Sequence, residues 1–227
     1  MEGLDVLPGV SQAMNLDQLN LVVGWLAGVF ALVNLLIIII GVWQGIRCAA
    51  GTTMGISPGL LRSPLVYIVS SGIFICACYL FWRPLPLTLQ PGLRVLALVI
   101  GSLLYFPGMA LVLWGRLVLG RMYFVSTGFG AQLFADHRLI TQGPYSIVRH
   151  PMYAGLSIAV MGGLLLYQTW TMVMLLILPL GLSIRAKREE QVLALEFGEE
   201  WREYCRRVPA WIPHLWRRNK YKKNPFR

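Results

Sequence analysis

The feature that most constrains this chain is an apolar stretch over residues 19–46, which is long enough to form a helix that crosses a lipid bilayer. It includes an unbroken aliphatic run at residues 35–40. Composition agrees, because 56% of the 227 residues are hydrophobic and only 13% are charged. One soluble domain does not need so much apolar surface. The chain is therefore predicted to be an integral membrane protein.

Four further segments are candidate spans, and the last two are short and nearly continuous, which predicts a tight hairpin. Pro107 and Pro179 fall inside spans and predict kinks, which membrane helices tolerate. The expected fold is all-α: one membrane domain over residues 1–227, with about five transmembrane helices and a C-terminal helical tail. Residues 1–114 hold the first three spans. The four further segments are residues 64–82, 93–114, 152–168 and 170–184.

Basic residues fall unevenly on the two sides of this bundle. Eighteen of the twenty Lys and Arg residues lie in the first loop, the third loop and the region after the last span. The positive-inside rule puts that side, with the C-terminus, in the cytoplasm and the N-terminus outside or in the lumen. The acidic N-terminal segment lacks the basic region of a signal peptide, so the first helix is expected to be retained. Anionic lipid headgroups, not nucleic acid, explain the net charge of +10.

Polar chemistry concentrates in residues 143–155 (GPYSIVRHPMYAG), at the start of an apolar helix. Arg149 and His150 are costly beside hydrocarbon, so they are functional candidates. Pro151 suits the first helical position, where its missing N–H costs nothing. The free N–H groups of that first turn carry the positive end of the helix dipole. The segment therefore predicts a site for an anion or a polar cofactor.

A second cluster begins where the last span leaves the bilayer. Arg185 and Glu189 are one helical turn apart and share a face, with Glu190 beside them. Gly198 is a plausible helix end. Two interpretations stay open: a surface helix joined by an Arg–Glu pair, or a functional cluster on the same side of the membrane as His150.

Other polar residues are weaker candidates. Asp136 and His137 either pack over the site or are solvated. Three widely separated His residues, without Cys or carboxylate at ligand spacing, predict no metal site. Aromatic residues alternate with Arg and Lys after the last span, which is typical of an interfacial membrane anchor, although some could wall a substrate entrance. These aromatic residues are Trp201, Tyr204, Trp211 and Trp216.

Together these motifs resemble a known family. Residues 139–155 (LITQGPYSIVRHPMYAG), the Glu189–Glu190 helix, the FGEEW run at 197–201 and residues 204–209 are similar to the C-terminal half of isoprenylcysteine carboxyl methyltransferases. They also resemble the wider membrane methyltransferase group that includes phospholipid methyltransferases. The likeness covers residues 136–213, the expected cofactor-binding and catalytic half. Residues 1–114 carry no signature, and such spans vary within the group.

The resemblance implies an enzyme that uses S-adenosylmethionine, releases S-adenosylhomocysteine and has no soluble Rossmann domain. The sequence itself also lacks the Gly-rich turn after a strand pattern that would indicate a Rossmann domain. Arg185, Glu190 and Arg149 are the implied catalytic residues. The implied cofactor-binding residues are Gly143, Tyr145, Val148, His150, Tyr153, Glu189 and Glu190.

The methyl acceptor is expected to be lipophilic or prenylated, with a prenylcysteine-type carboxylate favoured. An ionised carboxylate is already a nucleophile at neutral pH, so paired hydrogen bonds from Arg185 or Arg149 would mainly position it. An amine acceptor must lose a proton, with His150 or a glutamate as base. Lipid amines, small thiols, a sterol-type reductase and a non-enzymatic membrane scaffold are the alternatives. The motifs do not separate carboxylate from amine acceptors.

Overall fold

The computed structural model describes residues 15–47, 50–55, 63–123, 125–126 and 130–213. Within these ranges the chain forms six α-helices, three β-strands and two short 3-10 turns. The helices are α1 (Leu16–Arg47), α2 (Pro64–Leu80), α3 (Pro91–Leu119), α4 (Pro151–Tyr167), α5 (Trp170–Leu175) and α6 (Leu178–Arg207). The strands are β1 (Ala50–Gly55), β2 (Val125–Ser126) and β3 (Gly130–Phe134), and the 3-10 turns are Gly120–Met122 and Gly143–Ser146.

Helix length and hydropathy confirm the predicted all-α membrane bundle. Three helical stretches are long and apolar enough to cross a bilayer: Leu16–Gln44, Pro91–Met122 and Trp170–Arg207. The other two predicted spans form shorter apolar helices, because α2 and α4 have 17 residues each. A single span needs about 20 residues, so α2 and α4 lie at the lower limit of spanning length.

Glycines bring α3 and α4 into close contact. A Cβ atom on Gly108 would lie 2.7 Å from the backbone oxygen of Gly155, and one on Gly162 would lie 2.5 Å from the Tyr105 nitrogen. Small residues allow membrane helices to approach backbone to backbone, where dispersion contacts are densest. Tyr105 also donates a hydrogen bond to the Ala27 carbonyl at 2.9 Å, which joins α1 to this pair.

The predicted hairpin follows α4. Helix α4 ends at Gln168, whose φ of 48° is left-handed, and α5 starts two residues later. The Gln168 carbonyl accepts a hydrogen bond from the Leu85 N–H at 2.7 Å, which fixes the turn to the α2–α3 connection. Pro179 lies in the first turn of α6, where a proline is tolerated. The kink predicted at Pro179 therefore takes the form of a break between α5 and α6.

A small antiparallel sheet of order β1-β3-β2 adds to the helical fold, and no pattern in the sequence predicted it. Leu133 of β3 and Val192 of α6 pack together with no exposed surface. This contact fixes the sheet on α6. The chain also leaves helical geometry at Gly198, with φ 49° and ψ −112°, so the helix end predicted there appears as a break inside α6.

Candidate active site

The site lies where the end of α3, the 3-10 turn Gly143–Ser146, the start of α4 and the middle of α6 meet. Tyr145 and Tyr204 hold the turn in place. The Tyr204 hydroxyl donates to the Tyr145 carbonyl at 2.6 Å, and the Tyr145 hydroxyl donates to the Gly115 carbonyl at 3.4 Å. Burial, with the nearby Glu189 charge, raises the pKa of the Tyr145 phenol well above its ordinary value. Tyr145 therefore remains a neutral donor at physiological pH.

Backbone hydrogen bonds tie the segment after α6 to the residues before α4. The Arg149 N–H donates to the Pro209 carbonyl at 2.8 Å, and the His150 N–H donates to the Ala210 carbonyl at 3.0 Å. These two bonds hold residues 149 and 150 against residues 209 and 210 before Pro151 begins the helix. The Arg149 and His150 side chains are thereby fixed in direction relative to α6.

His150 and Arg149 share one carboxylate of α6. The His150 Nε2 lies 2.9 Å from Glu190 Oε1, and the Arg149 Nη2 lies 3.4 Å from the same oxygen. The His150 side chain is only 6% exposed. Buried charged groups need such partners, because an unpaired charge is costly away from water. The structure thus brings together the two motifs that the sequence placed 40 residues apart.

Glu189 is the centre of a second set of contacts. Its Oε1 accepts hydrogen bonds from the Tyr153 hydroxyl and from the Arg185 Nε, the latter at 3.2 Å. The Arg185 guanidinium also lies 5.6 Å from the centre of the Tyr153 ring. The predicted one-turn Arg–Glu pair is confirmed. It is largely enclosed, with Arg185 27% and Glu189 12% exposed, and both residues lie in the wall of the cavity described below.

Aromatic rings enclose the polar groups. The His150 and Tyr153 rings are stacked at 5.6 Å with planes 5° apart, and Trp211 lies within 6.1 Å of both. Trp201 and Tyr204 are 6% and 3% exposed. For Trp201 and Tyr204 the membrane-anchor interpretation is wrong, because their rings pack inside the protein and face the site. Trp216 lies outside the described residues.

A cavity with about 700 Å³ of empty space, counted out to its open mouth, lies among these side chains. The predicted residues in its wall are Tyr145, Arg149, His150, Tyr153, Arg185 and Glu189. Further wall residues that the sequence reasoning missed are Leu119, Tyr123, Leu139, Ile140, Met152 and Leu193.

Three of the predicted residues do not line this cavity. Val148 is 3% exposed and packs in the interior. A Cβ atom on Gly143 would lie 3.0 Å from Val118, and the φ of Gly143 is 61°, so this glycine shapes the turn. Glu190 supports His150 from outside the wall. Leu193 could have been found, because it lies one turn beyond Glu189, whereas Tyr123 gave no sequence signal.

His137 also lies in the cavity wall, with its ring 6.1 Å from that of Phe197. Burial lowers the pKa of His137 to about 4, and the charges of Glu196 and Asp136 only partly oppose that effect. His137 is therefore uncharged at neutral pH. Packing over the site therefore holds for His137, whereas Asp136 is exposed, as the solvated alternative predicted.

One polar group in the wall lacks a protein acceptor. The Arg149 Nε is buried and has no hydrogen-bond partner among the described residues. The terminal nitrogens of Arg149 contact Glu190 and the Cys205 sulfur instead. A buried donor without an acceptor costs about 1–3 kcal/mol. Its position suits a ligand that brings an acceptor, such as a carboxylate.

The fold and this cavity define a helical membrane protein with a partly open cavity, lined by polar and aromatic side chains, at one end of the bundle. The family described as phospholipid methyltransferase matches residues 96–200. This range contains α4, the 3-10 turn and most of α6, and hence most of the site. The predicted resemblance to membrane methyltransferases of the phospholipid and isoprenylcysteine type is confirmed.

Three relatives extend the comparison. Protein-S-isoprenylcysteine O-methyltransferase of Schizosaccharomyces pombe is 38% identical over 80 residues, which is 34% of this chain and 34% of that protein. Cobalt-zinc-cadmium resistance protein CzcN of Cupriavidus metallidurans is 34% identical over 35% of this chain and 38% of that protein. Methanethiol S-methyltransferase 1 of Bradyrhizobium diazoefficiens is 27% identical over 74% of this chain and 59% of that protein. The chain thus spans about a third of the length of the first two relatives.

Proposed function

We propose that this chain is an S-adenosylmethionine-dependent methyltransferase that acts on a lipophilic acceptor, most favourably a prenylcysteine-type carboxylate. One observation carries the proposal: Arg149, His150, Tyr153, Arg185 and Glu189 converge on one cavity at the end of an apolar bundle. The methyltransferase names of two relatives support the reaction class.

The donor set of the cavity fits S-adenosylmethionine. The buried Arg149 Nε offers a donor to the cofactor carboxylate. Glu189 in the cavity wall offers an acceptor to an ammonium group or to ribose hydroxyls, and Glu190 holds His150 beside it. The Tyr153 ring in the cavity wall suits a sulfonium cation, because aromatic rings are negative on their faces. Together these groups suit the carboxylate, the ammonium group, the ribose and the sulfonium of the cofactor.

When bound, S-adenosylmethionine supplies an electrophilic methyl group on sulfur. Arg185 would position an acceptor carboxylate, since its guanidinium is fixed by Glu189 and lies against Tyr153. Such an acceptor needs no base, so catalysis would consist of alignment and exclusion of water. Apolar wall residues, including Leu119, Leu139 and Met152, would exclude the water.

A small-thiol acceptor is the second candidate, favoured by the 74% coverage of this chain in the methanethiol S-methyltransferase alignment. A thiol has a pKa near 8.5, so it must lose a proton to react well at neutral pH. His150 is the group placed for this, because Glu190 lies 2.9 Å from its Nε2 and would stabilise the protonated ring. A lipid amine would need the same proton transfer.

The experiment is incubation of membranes that contain the full chain with methyl-labelled S-adenosylmethionine. Products are fractionated into prenyl-peptide methyl esters, phospholipids and volatile sulfides. We expect label in prenyl-peptide esters, released by mild alkali. Label in the volatile fraction would support the thiol candidate instead, and absence of label from every fraction would contradict methyl transfer to these acceptors.

Cofactor binding is tested separately by calorimetry with S-adenosylhomocysteine on purified protein. His150→Ala and Glu190→Gln should each weaken binding by about tenfold or more, because each removes a charge-assisted contact. Glu199→Gln is the matched control, since Glu199 lies on the same helix and is 64% exposed. Wild-type affinity for S-adenosylhomocysteine in both site variants would contradict the proposed cofactor pocket.

A further inference from the structure

The opposite end of the bundle carries a second, unrelated concavity. It lies at the start of α1, the start of α3 and the end of α4. A recess of about 810 Å³ is lined there by Asn20, Thr88, Arg94 and Gln168 together with leucines. A groove of about 1,170 Å³ adjoins it along α1. Asn20, Leu166 and Tyr167 line both, so recess and groove are continuous.

The two parts differ in chemistry. The groove is walled by apolar residues of α1 and by Trp82, and the exposed fractions of Trp25 and Trp82 are 70% and 51%. Gly24 and Gly28 form its floor, where an added Cβ would only touch the Tyr167 ring and hydroxyl at 3.7 Å. The Tyr167 hydroxyl donates to the Gly24 carbonyl at 2.8 Å. This bond joins the end of α4 to α1 at the floor of the groove.

Two opposite charges lie beside the recess. Arg94 Nη1 is 2.6 Å from Asp17 Oδ1, and their side chains remain 39% and 67% exposed. Arg94 can therefore still donate to a phosphate, while Asp17 can accept from an ammonium group. A headgroup with both charges matches this pair better than an anionic one, because the Asp17 carboxylate repels added negative charge.

We propose that this concavity binds one zwitterionic phospholipid of the surrounding bilayer. Its phosphate lies against Arg94, its ammonium group against Asp17, and one acyl chain lies in the α1 groove. Tryptophan at the membrane interface is a common partner of lipid at this depth. This lipid lies at the end of the bundle away from the candidate active site, so its binding does not depend on the proposed methyl transfer.

Native mass spectrometry of the purified full chain tests the proposal. The protein is exchanged into detergent with equal amounts of dioleoylphosphatidylethanolamine, dioleoylphosphatidylcholine and dioleoylphosphatidylglycerol. We expect one retained lipid per chain, with the two zwitterionic lipids exceeding phosphatidylglycerol. Equal retention of all three, or preference for phosphatidylglycerol, would overturn the headgroup assignment.

Two variants locate the lipid. Arg94→Gln should lower retention of the zwitterionic lipids by on the order of tenfold, as expected for loss of a charged hydrogen bond. Its control is Arg83→Gln, at the same end but outside both cavities. Gly28→Leu should fill the groove and lower retention similarly, whereas Gly72→Leu, in open space on α2, should not. Retention unchanged in both Arg94→Gln and Gly28→Leu would overturn the site.

Discussion

At the scale of residues, the site depends on side chains that each make several contacts. Glu189 accepts from Tyr153 and Arg185, and Glu190 lies within hydrogen-bond or ion-pair distance of His150 and Arg149. Because each carboxylate has two partners, loss of one partner leaves the other in place. Substitutions at this scale should therefore alter function more than folding.

Arg185→Lys separates acceptor positioning from a structural ion pair. Lysine keeps the charge but lacks the planar fork that can hold a carboxylate by two bonds. We expect turnover to fall by about 10–100-fold, as for the loss of 1.4–2.7 kcal/mol in the transition state, with S-adenosylhomocysteine affinity nearly unchanged. Steady-state kinetics measure the turnover and calorimetry measures the S-adenosylhomocysteine affinity, both on the same preparation. A fully active Arg185→Lys enzyme would contradict the positioning role.

His137 should make stability depend on pH. Its folded pKa of about 4 lies below the unfolded value near 6.5, so protonation favours the unfolded chain. The stability contribution is complete above pH 6.5 and is lost as pH falls towards 4, by about 3 kcal/mol at most. Thermal melts of wild type and His137→Gln in detergent at pH 7.5 and 4.5 measure it. The melting temperature of the wild type minus that of the variant should be smaller at pH 4.5 than at pH 7.5. A difference independent of pH would contradict the lowered pKa of His137.

At the scale of elements, α3 and α4 form the frame on which the site is built. Gly115 of α3 accepts the Tyr145 hydroxyl, and Pro151 starts α4 directly after His150. The separation between these two helices therefore sets the distance between the 3-10 turn and the cavity wall. Close packing through glycine leaves little room for that separation to change.

Gly108→Ala should push α3 and α4 apart. The new methyl group would lie 2.7 Å from the Gly155 carbonyl oxygen, a backbone atom that cannot rotate away. We expect a loss of about 1–3 kcal/mol, typical of overpacking. Gly72→Ala is the control, because its methyl group meets nothing within 4 Å and should be neutral or stabilising. Thermal melts of both variants in one detergent compare them, and equal melting temperatures would contradict this account of the contact.

The sequence was informative about elements where local chemistry decides the structure. The helix break at Gly198 follows from glycine's access to left-handed geometry, and the Arg185–Glu189 contact follows from helical spacing. The sheet was not predictable in this way, since its pairing of β1 with β3 joins residues that are 75 to 84 positions apart in the sequence. Trp201 was misassigned for a similar reason: its place near a span does not tell whether the ring turns towards lipid or towards Arg149.

At the scale of the whole molecule, the two ends of the bundle differ in chemistry. The candidate active site lies where α3 ends and α4 begins, and the proposed lipid site lies where α3 begins and α4 ends. A water-soluble cofactor and a bilayer lipid would therefore meet the protein on opposite sides of the membrane. The excess of basic residues follows the same division, because the region after the last span carries twelve Lys and Arg residues.

The positive-inside rule turns this division into a prediction of orientation. In a background in which the four native cysteines are replaced by alanine, single cysteines are placed at Arg202 and at Gln90. Arg202 is 71% exposed on α6 near the active site, and Gln90 precedes α3 at the other end. A membrane-impermeant maleimide should label Gln90→Cys in intact cells, but Arg202→Cys only after the cells are opened. If Arg202→Cys is labelled in intact cells and Gln90→Cys is not, the bundle is inverted. Cytoplasmic S-adenosylmethionine would then have no direct access to the site.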